Sequence, residues 1–402
     1  MTSADSEFGS AEMLEDPFPF FAHARTHCPV FPVPSRNMHV VTRHQDIEYV
    51  LRNPALFSSR GRTPVLSFPG QRYQTTPDLV GTDAPEHREI RTAHLALLST
   101  KRLREILPAM EAEAHAMIDR FADEPEVEFI EAFAKPYPAW VMGYILCLPR
   151  DMHMQVDRWA VDFFELFDQL LHHPDVTALP PRLIESYVDF MNFCGDMAVE
   201  LRERPRGDPL SEFVNARKSD GSLFSIDEMA TYIRLLVTGA QTSTSMLAQS
   251  VVEVIRLEDR GDLTNDRHLD RLIDETLRKD GAATYCPRTT TQEVELSGIA
   301  LPAGSRIFMA WHSGNRDAAM FDDPDSFRPD RPNLARHLGL GQGIHRCIGG
   351  PLAQLEGRVA LKALFGRFAD IRLSPKNDFR HDTSLTAIRV LNKLHLDLVP
   401  AG

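Results

Sequence analysis

The most informative segment of this 402-residue chain is Leu338-Gly339-Leu340-Gly341-Gln342-Gly343-Ile344-His345-Arg346-Cys347-Ile348-Gly349-Gly350-Pro351. Its glycines permit a tight, irregular backbone that can approach a flat ligand closely. Pro351 predicts the start of a helix, because proline is favoured in the first turn and apolar residues follow at core spacing. Cys347 would then lie at the helix N-terminus beside His345 and Arg346. There the dipole and the nearby cations favour a thiolate, which is a good ligand for a soft metal.

Two other interpretations of Cys347 stay open at this point. A lone cysteine near a turn is usually buried and inert. A zinc site is a poor alternative, since no second pair of Cys or His residues has ligand spacing. The cysteines are odd in number and widely spaced, which argues against a disulfide framework and is typical of a reducing cytoplasm. They are Cys28, Cys147, Cys194, Cys286 and Cys347.

The composition is that of a globular protein and excludes several classes. Apolar residues make up 43% and charged residues 25% of the chain, so it is neither disordered nor collagenous. The formal charge of −13 argues against nucleic acid or an anionic membrane surface as the main partner. The first residues lack the basic and apolar regions of a signal peptide, and no run of about 18 apolar residues predicts a membrane span. We therefore expect a cytoplasmic protein.

Hydrophobic periodicity predicts a fold that is mainly α with small β-sheets. Neither a repeat nor a Gly/Ser linker divides the chain, so we expect one domain over 1–402. Helical periodicity covers 86–120, 151–170, 181–203, 226–259, 266–279 and 351–368. Alternating β-branched residues predict short strands in 38–44 and 292–310, within β-rich portions near 38–60 and 292–310. At this length roughly 75% of the unfolded surface is buried, which leaves room for a sizeable ligand.

The predicted helix 226–259 would cross the whole molecule, since its residues span roughly 50 Å. Ser225 and Glu228 form a capping-box pattern at its start, and Arg260-Gly261 would end it. Its middle, residues 238–245, is rich in small and hydroxylated side chains, which lower helix propensity. By itself this segment favours a close helix crossing over a functional groove.

The spacing of Leu340, Gly343, Cys347 and Gly349 resembles the heme-ligating signature of the cytochrome P-450 superfamily, in its soluble bacterial type. The resemblance extends from about residue 15 to the end of the chain. It implies a heme-thiolate fold with a long central helix over the heme and makes Cys347 the axial ligand of the heme iron. One departure is Leu340, where the family has a phenylalanine that shields the sulfur. Redox potential and heme retention are the properties that this change would affect.

A second matching segment is Glu275-Thr-Leu-Arg278, which resembles the family's Glu-x-x-Arg pair. The spacing alone is weak, because it recurs elsewhere in the chain and a surface salt bridge would explain it equally well. Only this copy is followed by the family's later motifs, and the resemblance adds Arg331 as a third member. If the pair is buried, breaking it should abolish heme loading.

The resemblance assigns contacts with the heme propionates to His87, Arg91, Arg288 and His345. His87 and Arg91 are four residues apart, so on a helix they share a face and can pair with carboxylates. Without the cysteine segment, a solvated basic helix would be the better explanation of this pair.

The family's oxygen-binding segment corresponds to Gly239, Gln241 and Thr242. The resemblance implies that Gly239 leaves room for oxygen and substrate, and that the Thr242 hydroxyl holds water beside the bound dioxygen. Gln241 replaces the family's acidic residue, and an amide cannot shuttle a proton near neutral pH. A water chain, a substrate group or slow and uncoupled turnover would each be consistent with this replacement.

The substrate pocket can be assigned by correspondence only. An alternative for the aromatic residues of its 163–178 wall is ordinary helix core. The corresponding residues are Val65, Phe68, Phe167, Val237, Ala240, Thr284 and Leu385. A basic patch of Lys101, Arg102, Arg104 and Arg346 corresponds to the family's proximal face, where it could steer an acidic ferredoxin, although solvated helix charge explains it equally well.

From this resemblance we expect a heme-thiolate monooxygenase that inserts one oxygen atom from O2 into an apolar or mid-sized organic substrate, in secondary metabolism. Its cofactor would be heme b, iron protoporphyrin IX. Electrons would come from NAD(P)H through a ferredoxin reductase and a ferredoxin, because the chain has no room for a reductase domain. A monomer is expected. Oxidative coupling, rearrangement or desaturation, a peroxide-driven reaction and a non-catalytic heme-binding protein stay open as alternatives.

Overall fold

A computed structural model of the protein describes residues 7–172 and 178–400, with the side chains of residues 171 and 172 excepted. The chain divides into two compact units. The first unit comprises the chain up to Phe57, Leu107–Tyr137 and the chain from Thr242 onward. The second unit comprises Ser58–Ile106 and Pro138–Gln241. The organisation as a single domain stays a prediction.

Helices dominate the described part of the chain, which confirms the mainly α fold class. They are α1 (Ala11–Glu15), α2 (Phe18–His27), α3 (His44–Arg52), α4 (Glu86–Leu97), α5 (Thr100–Ile118), α6 (Pro136–Ile145), α7 (His153–His172), α8 (Pro181–Glu203), α9 (Pro209–Val214), α10 (Ile226–Thr238), α11 (Ala240–Arg256), α12 (Asp266–Asp280), α13 (Trp311–Asn315) and α14 (Gly350–Arg367). A search of the described helices for one long and apolar enough to cross a membrane finds none.

Short strands form three small sheets. The strands are β1 (Val30–Val33), β2 (Met38–Val41), β3 (Phe57–Ser58), β4 (Glu126–Glu128), β5 (Tyr285–Thr290), β6 (Val294–Leu296), β7 (Ile299–Leu301), β8 (Arg306–Ala310), β9 (Phe368–Leu373) and β10 (His395–Pro400). The sheet orders are β1-β2-β8-β5-β3, β4-β10-β9 and β6-β7. The predicted strand 38–44 ends at Val41, since α3 begins at His44, and the predicted strand region 292–310 contains three strands.

The five-stranded sheet supports the segment that carries Cys347. Side chains of β2 and β8, among them Val41, Ile307 and Met309, form one buried apolar cluster with Trp311 and Leu338. Burying a side chain of this size stabilises the fold by roughly 1.5–3 kcal/mol. Leu338, the first residue of the cysteine segment, is thereby anchored in the core of the first unit.

The prediction of one continuous helix over 226–259 was wrong. The capping box is confirmed, because Ser225 Oγ accepts from the Glu228 amide at 3.1 Å and Glu228 Oε2 accepts from the Ser225 amide at 2.6 Å. However, α10 ends at Thr238 and α11 begins at Ala240. Thr238 Oγ1 donates to the Leu235 carbonyl at 2.9 Å, a side-chain bond that competes with the helical ladder just before Gly239. The second helix ends at Arg256, before the predicted stop at Arg260-Gly261.

The predicted helix 86–120 is likewise two helices, α4 and α5. The Ser99 hydroxyl accepts from the Arg102 amide at 3.4 Å, which is the bond of an N-terminal cap, so a new helix starts here. The other predicted helices agree with α7, α8, α12 and α14 to within two residues at each end.

Candidate functional site

The segment before Cys347 is held close to two helices by glycines. A Cβ on Gly339 would overlap the carbonyl oxygen of Leu277 in α12. One on Gly343 would overlap the carbonyl oxygen of Leu51 in α3, and Gly343 also has a left-handed backbone with a φ of +69°. Only glycine combines this conformation with so close an approach. These two positions therefore explain part of the glycine pattern that the sequence displays.

Cys347 has an exposed side chain three residues before α14 begins. Its amide donates to the Leu340 carbonyl at 2.7 Å, which closes the loop that precedes it. A Cβ added at Gly349 would lie 3.9 Å from the Cys347 sulfur, an ordinary van der Waals contact, so this glycine lies beside the sulfur. The side chain of Leu340 is buried and faces the start of α14, where a Cβ on Gly350 would lie 3.1 Å from it. The alternative that Cys347 is buried was wrong, because its side chain is exposed.

Arg288 on β5 is a buried cation with no carboxylate partner among the described residues. Its side chain is only 4% exposed, and its Nη1 donates to the Pro287 carbonyl at 2.7 Å and to the Cys286 sulfur at 3.1 Å. The described residues place no carboxylate within ion-pair distance of this guanidinium. A buried cation without an anionic partner is costly, so the site fits a ligand that brings carboxylates. His345, half-buried in the turn Gly343–His345, belongs to the same unit.

In the second unit, His87 and Arg91 lie on α4 as predicted, four residues apart on one face. His87 is buried and Arg91 half-buried. The turn that leads into this helix is held by Asp83, whose carboxylate accepts from the Ser58 hydroxyl at 2.5 Å and from the Ser59 amide at 2.8 Å. The carbonyl of Asp83 accepts from the His87 amide at 2.9 Å, which starts the helix.

Glu275, Arg278 and Arg331 form a buried ionic triad, with exposed fractions of 0%, 0% and 2%. Arg278 donates to both oxygens of Glu275, at 2.7 and 2.8 Å, and Arg331 Nε donates to Glu275 Oε1 at 3.0 Å. Both guanidinium groups also donate to backbone carbonyls of the segment 315–326. The structure thus brings these three predicted residues together, and burial excludes the alternative of a surface salt bridge.

Gln241, which replaces the expected acid, contacts a carboxylate from another helix. Its Nε2 donates to Asp157 Oδ1 at 2.6 Å, and Asp157 on α7 is 3% exposed. Thr242 is half-buried, and Gly239 is exposed between α10 and α11. Sequence reasoning missed Asp157, because the two residues are 84 positions apart and no local pattern links them.

A second carboxyl lies against the start of α11 within the first unit. Ser243 Oγ donates to Glu356 Oε2 at 2.5 Å, and both side chains are buried. Burial raises the pKa of Glu356 to about 8, with the Ser243 hydrogen bond acting in the opposite direction. The pKa of nearby Tyr137 is also raised, mainly by burial and further by Glu356. Glu356 is therefore mostly protonated at pH 7, and only its place in the motif that follows Cys347 could have drawn attention to it.

The predicted pocket residues have different surroundings, and their role stays a prediction. In the second unit Val65 is 62% exposed, Val237 and Ala240 are buried, and the rings of Phe68 and Phe167 pack against Tyr187 and Phe163 respectively. In the first unit Thr284 and Leu385 line an apolar cavity that is also lined by Met13 and Phe21. Residues 173–177 of the predicted wall 163–178 lie outside the described residues.

The predicted basic patch is partly neutralised. Arg102 donates to Glu212 at 2.7 Å and to Glu105 at 3.2 Å, whereas Lys101 is 81% exposed with Glu105 3.8 Å away. Arg104 is exposed as well. In the first unit the exposed Arg346 lines a surface hollow with Arg52, Arg336 and Glu48, so three arginines there face one carboxylate.

Comparison with known proteins adds an independent line of evidence. A family model described as cytochrome P-450 matches residues 249–393. The mycinamicin IV hydroxylase/epoxidase of Micromonospora griseorubida is 30% identical over 85% of each chain. The cyclomarin C epoxidase of Salinispora arenicola is 29% identical over 87% of this chain and 88% of its own. A solved cytochrome P-450 structure from Chondromyces apiculatus is similar with a TM-score of 0.83 and 25% identity over 98% of each chain.

Proposed function

Because this chain belongs to the cytochrome P-450 family, which makes it an oxidoreductase with a heme iron cofactor and O2 as co-substrate, we propose that it inserts one oxygen atom into an apolar or mid-sized organic substrate. The observation that carries the proposal is the exposed side chain of Cys347, three residues before α14 and at the end of a loop closed by its own amide. When bound through this thiolate, the heme would supply the chemistry of oxygen activation. The chain itself supplies the ligand, the charges around it and the path for protons.

The residues present fit heme b. Cys347 would ligate the iron, with Gly343, Gly349 and Leu340 shaping the loop behind the sulfur. Arg288 would donate to a propionate, which is the anion that its buried guanidinium lacks among the described residues. The family resemblance extends the same role to His87, Arg91 and His345.

The residues of the oxygen side have separate roles in this proposal. Gly239 would leave space beside the helix, and Thr242 would hold water with its hydroxyl. The pocket would be lined by Val65, Phe68, Phe167, Val237, Ala240, Thr284 and Leu385. The apolar cavity beside Thr284 and Leu385 supports an apolar substrate.

Electrons would come from NAD(P)H through a ferredoxin reductase and a ferredoxin. The arginines around Arg346 support docking of an acidic protein, since a basic hollow on a chain of charge −13 would steer it. We further propose a cytoplasmic monomer with one domain and a role in secondary metabolism. The relatives named as a mycinamicin IV hydroxylase/epoxidase and a cyclomarin C epoxidase support that role.

An atypical reaction, such as coupling or desaturation, is the second candidate. Gln241 in place of an acid favours it, because weaker proton supply at this position would change how the oxygen is used. Product analysis by mass spectrometry with a surrogate ferredoxin and reductase separates the two candidates. A product heavier by one oxygen supports insertion, and one lighter by two hydrogens supports desaturation.

The first test is the ferrous–CO difference spectrum of the wild type beside Cys347→Ala. We expect the red-shifted Soret band of thiolate-ligated heme in the wild type and its loss in the variant. Cys28→Ala is the matched control, because Cys28 is also exposed but lies far along the chain, just after α2. An unchanged band in Cys347→Ala would refute the assignment of the ligand.

A further inference from the structure

A buried arginine of the second unit has hydrogen-bonding capacity that the described residues do not use. Arg234 on α10 is 1% exposed, and its Nη2 donates to Asp78 Oδ2 at 3.0 Å. Its Nε is buried as well, and it has no acceptor among the described residues. A guanidinium has five N–H donors, and a buried donor without a partner destabilises the fold. An acceptor supplied by a ligand would relieve that cost.

The buried arginines of the ionic triad in the first unit are bonded more completely. Arg278 donates through Nε and both terminal nitrogens, to Glu275 and to three backbone carbonyls. Arg331 likewise donates through Nε, Nη1 and Nη2. Arg234, in contrast, makes one hydrogen bond to the described residues. This difference favours a ligand-binding role for Arg234 over a purely structural one.

The guanidinium of Arg234 lies against an aromatic cluster within the second unit. Its central carbon is 4.5 Å from the centroid of the Phe163 ring on α7. Phe163 in turn contacts Phe167 and Tyr187, at centroid distances of 6.3 and 6.4 Å. Val237 follows Arg234 by three residues, so the two share a face of α10. Arg234 thus adjoins the cluster and the helix face that carry Phe167 and Val237, both predicted for the substrate pocket.

Asp78 determines which kind of acceptor fits. Its Oδ1 accepts from the Thr63 hydroxyl at 3.2 Å and from the amides of Val80 and Gly81 at 3.1 and 3.0 Å. Both side chains of the ion pair with Arg234 are 1% exposed, and their charges compensate each other. A second carboxylate at Arg234 would leave a buried negative charge without compensation, which is costly. A neutral carbonyl oxygen accepts from Nε without adding charge.

We propose that Arg234 is a specificity-determining residue that binds a neutral carbonyl oxygen of the substrate through its Nε–H. This inference rests on the proposed monooxygenase function and narrows its substrate class to apolar molecules that carry a ketone, ester, lactone or amide. Asp78 is a positioning residue, because it holds the guanidinium through Nη2 and leaves Nε for the substrate. The aromatic cluster binds the apolar body of the molecule.

Equilibrium dialysis of the heme-loaded protein with matched probes tests this assignment without turnover. Fluoren-9-one differs from fluorene only in a carbonyl that replaces a methylene, and so does 2-tetralone from tetralin. Arg234→Lys keeps a cation for Asp78 but removes the Nε–H donor. We expect the ratio of hydrocarbon to ketone dissociation constants to fall about tenfold in this variant, because a hydrogen bond from a charged group is lost. Fluorene-9-carboxylate should bind the wild type more weakly than fluoren-9-one.

Two further variants separate recognition from a structural role. Arg202 on α8 also has an Nε without an acceptor among the described residues, but its Nη2 donates to the carbonyls of Val214 and Phe224. Arg202→Lys is therefore the matched control, and it should leave the ratio unchanged. The double variant Arg234→Met/Asp78→Asn removes the ion pair without leaving a buried charge, so it should fold and lose the ketone preference as Arg234→Lys does.

Four results would contradict the inference. Equal ratios in the wild type and Arg234→Lys overturn it, and so does a wild type that retains neither ketone. Tighter binding of fluorene-9-carboxylate than of fluoren-9-one overturns the neutral class. Loss of the ketone preference in Arg202→Lys overturns the assignment to Arg234. The ferrous–CO spectrum of the same samples tests the proposed function separately, because a wild type without the thiolate band overturns that function whatever the binding ratios are.

Discussion

Glu356→Gln should remove a specific dependence of stability on pH. The carboxyl of Glu356 is buried, and its one hydrogen bond among the described residues is to Ser243 Oγ. Burial raises its pKa from 4.5 to about 8. The folded protein therefore binds this proton more tightly than the unfolded chain does. Glutamine has the same shape, keeps a bond to Ser243 and carries no titratable proton.

The size of the effect follows from proton linkage. A group whose pKa is raised on folding adds stability where it is protonated, and that contribution declines as the pH rises toward the folded-state pKa. Between pH 6 and pH 8 the wild type should lose about 2 kcal/mol of unfolding free energy through this one group. The high pKa of Tyr137 keeps that neighbour neutral over the same interval.

Urea unfolding of heme-loaded wild type and Glu356→Gln across this interval measures the difference. Other titrating groups, including the histidines, cancel in the comparison. Glu258→Gln is the control, because Glu258 is exposed, two residues after α11 ends at Arg256. Parallel stability profiles of the wild type and Glu356→Gln would refute the reasoning, because they would mean that Glu356 is ionised in the folded protein near neutral pH.

Three other changes have definite expected outcomes. Arg278→Lys loses the bidentate hydrogen bonding to Glu275, so it should cost about 3 kcal/mol of unfolding free energy. The purified variant should contain little heme by pyridine hemochrome assay, and full heme content would contradict the role of the triad. Gly343→Ala should lower heme content more than Gly298→Ala, because both glycines have a positive φ but only a Cβ at Gly343 overlaps the Leu51 carbonyl; equal losses would show that backbone strain alone matters. Arg288→Met should leave the urea midpoint unchanged or higher yet speed heme transfer to apomyoglobin several-fold; an unchanged transfer rate would exclude Arg288 from heme binding.

Sequence predicted the site best where the deciding residues lie within a few positions of one another in the chain. The loop around Cys347, the helix that follows it and the capping box at Ser225 each depend on residues within a few positions of one another. Glycine conformation, helix capping and the N-terminal preference of proline act over this range. The family motifs added the pairing of Glu275 with Arg278, which the structure places within one helix.

Helix continuity is the local property that periodicity misjudged. The apolar pattern of 226–259 continues through Gly239, and so do helical backbone angles (φ −63°, ψ −27°), but the Gly239 amide donates to the Leu236 carbonyl three residues back, so the regular ladder is interrupted before α11 starts at Ala240. Periodicity reports which face is buried and is insensitive to a single turn that departs from the ladder.

Only the tertiary structure decided which carboxyl groups contact Gln241 and Ser243. The sequence shows an amide at position 241 where the family has an acid, whereas in the structure Gln241 donates to Asp157, 84 residues away in the chain. Ser243 likewise donates to Glu356, 113 residues away. Such contacts are set by how whole helices pack, so no spacing along the chain encodes them. The sequence by itself determined the cysteine loop and the family, because those depend on short-range backbone chemistry. The placement of the buried carboxyls depends on long-range packing, and it became visible only when the helices were assembled.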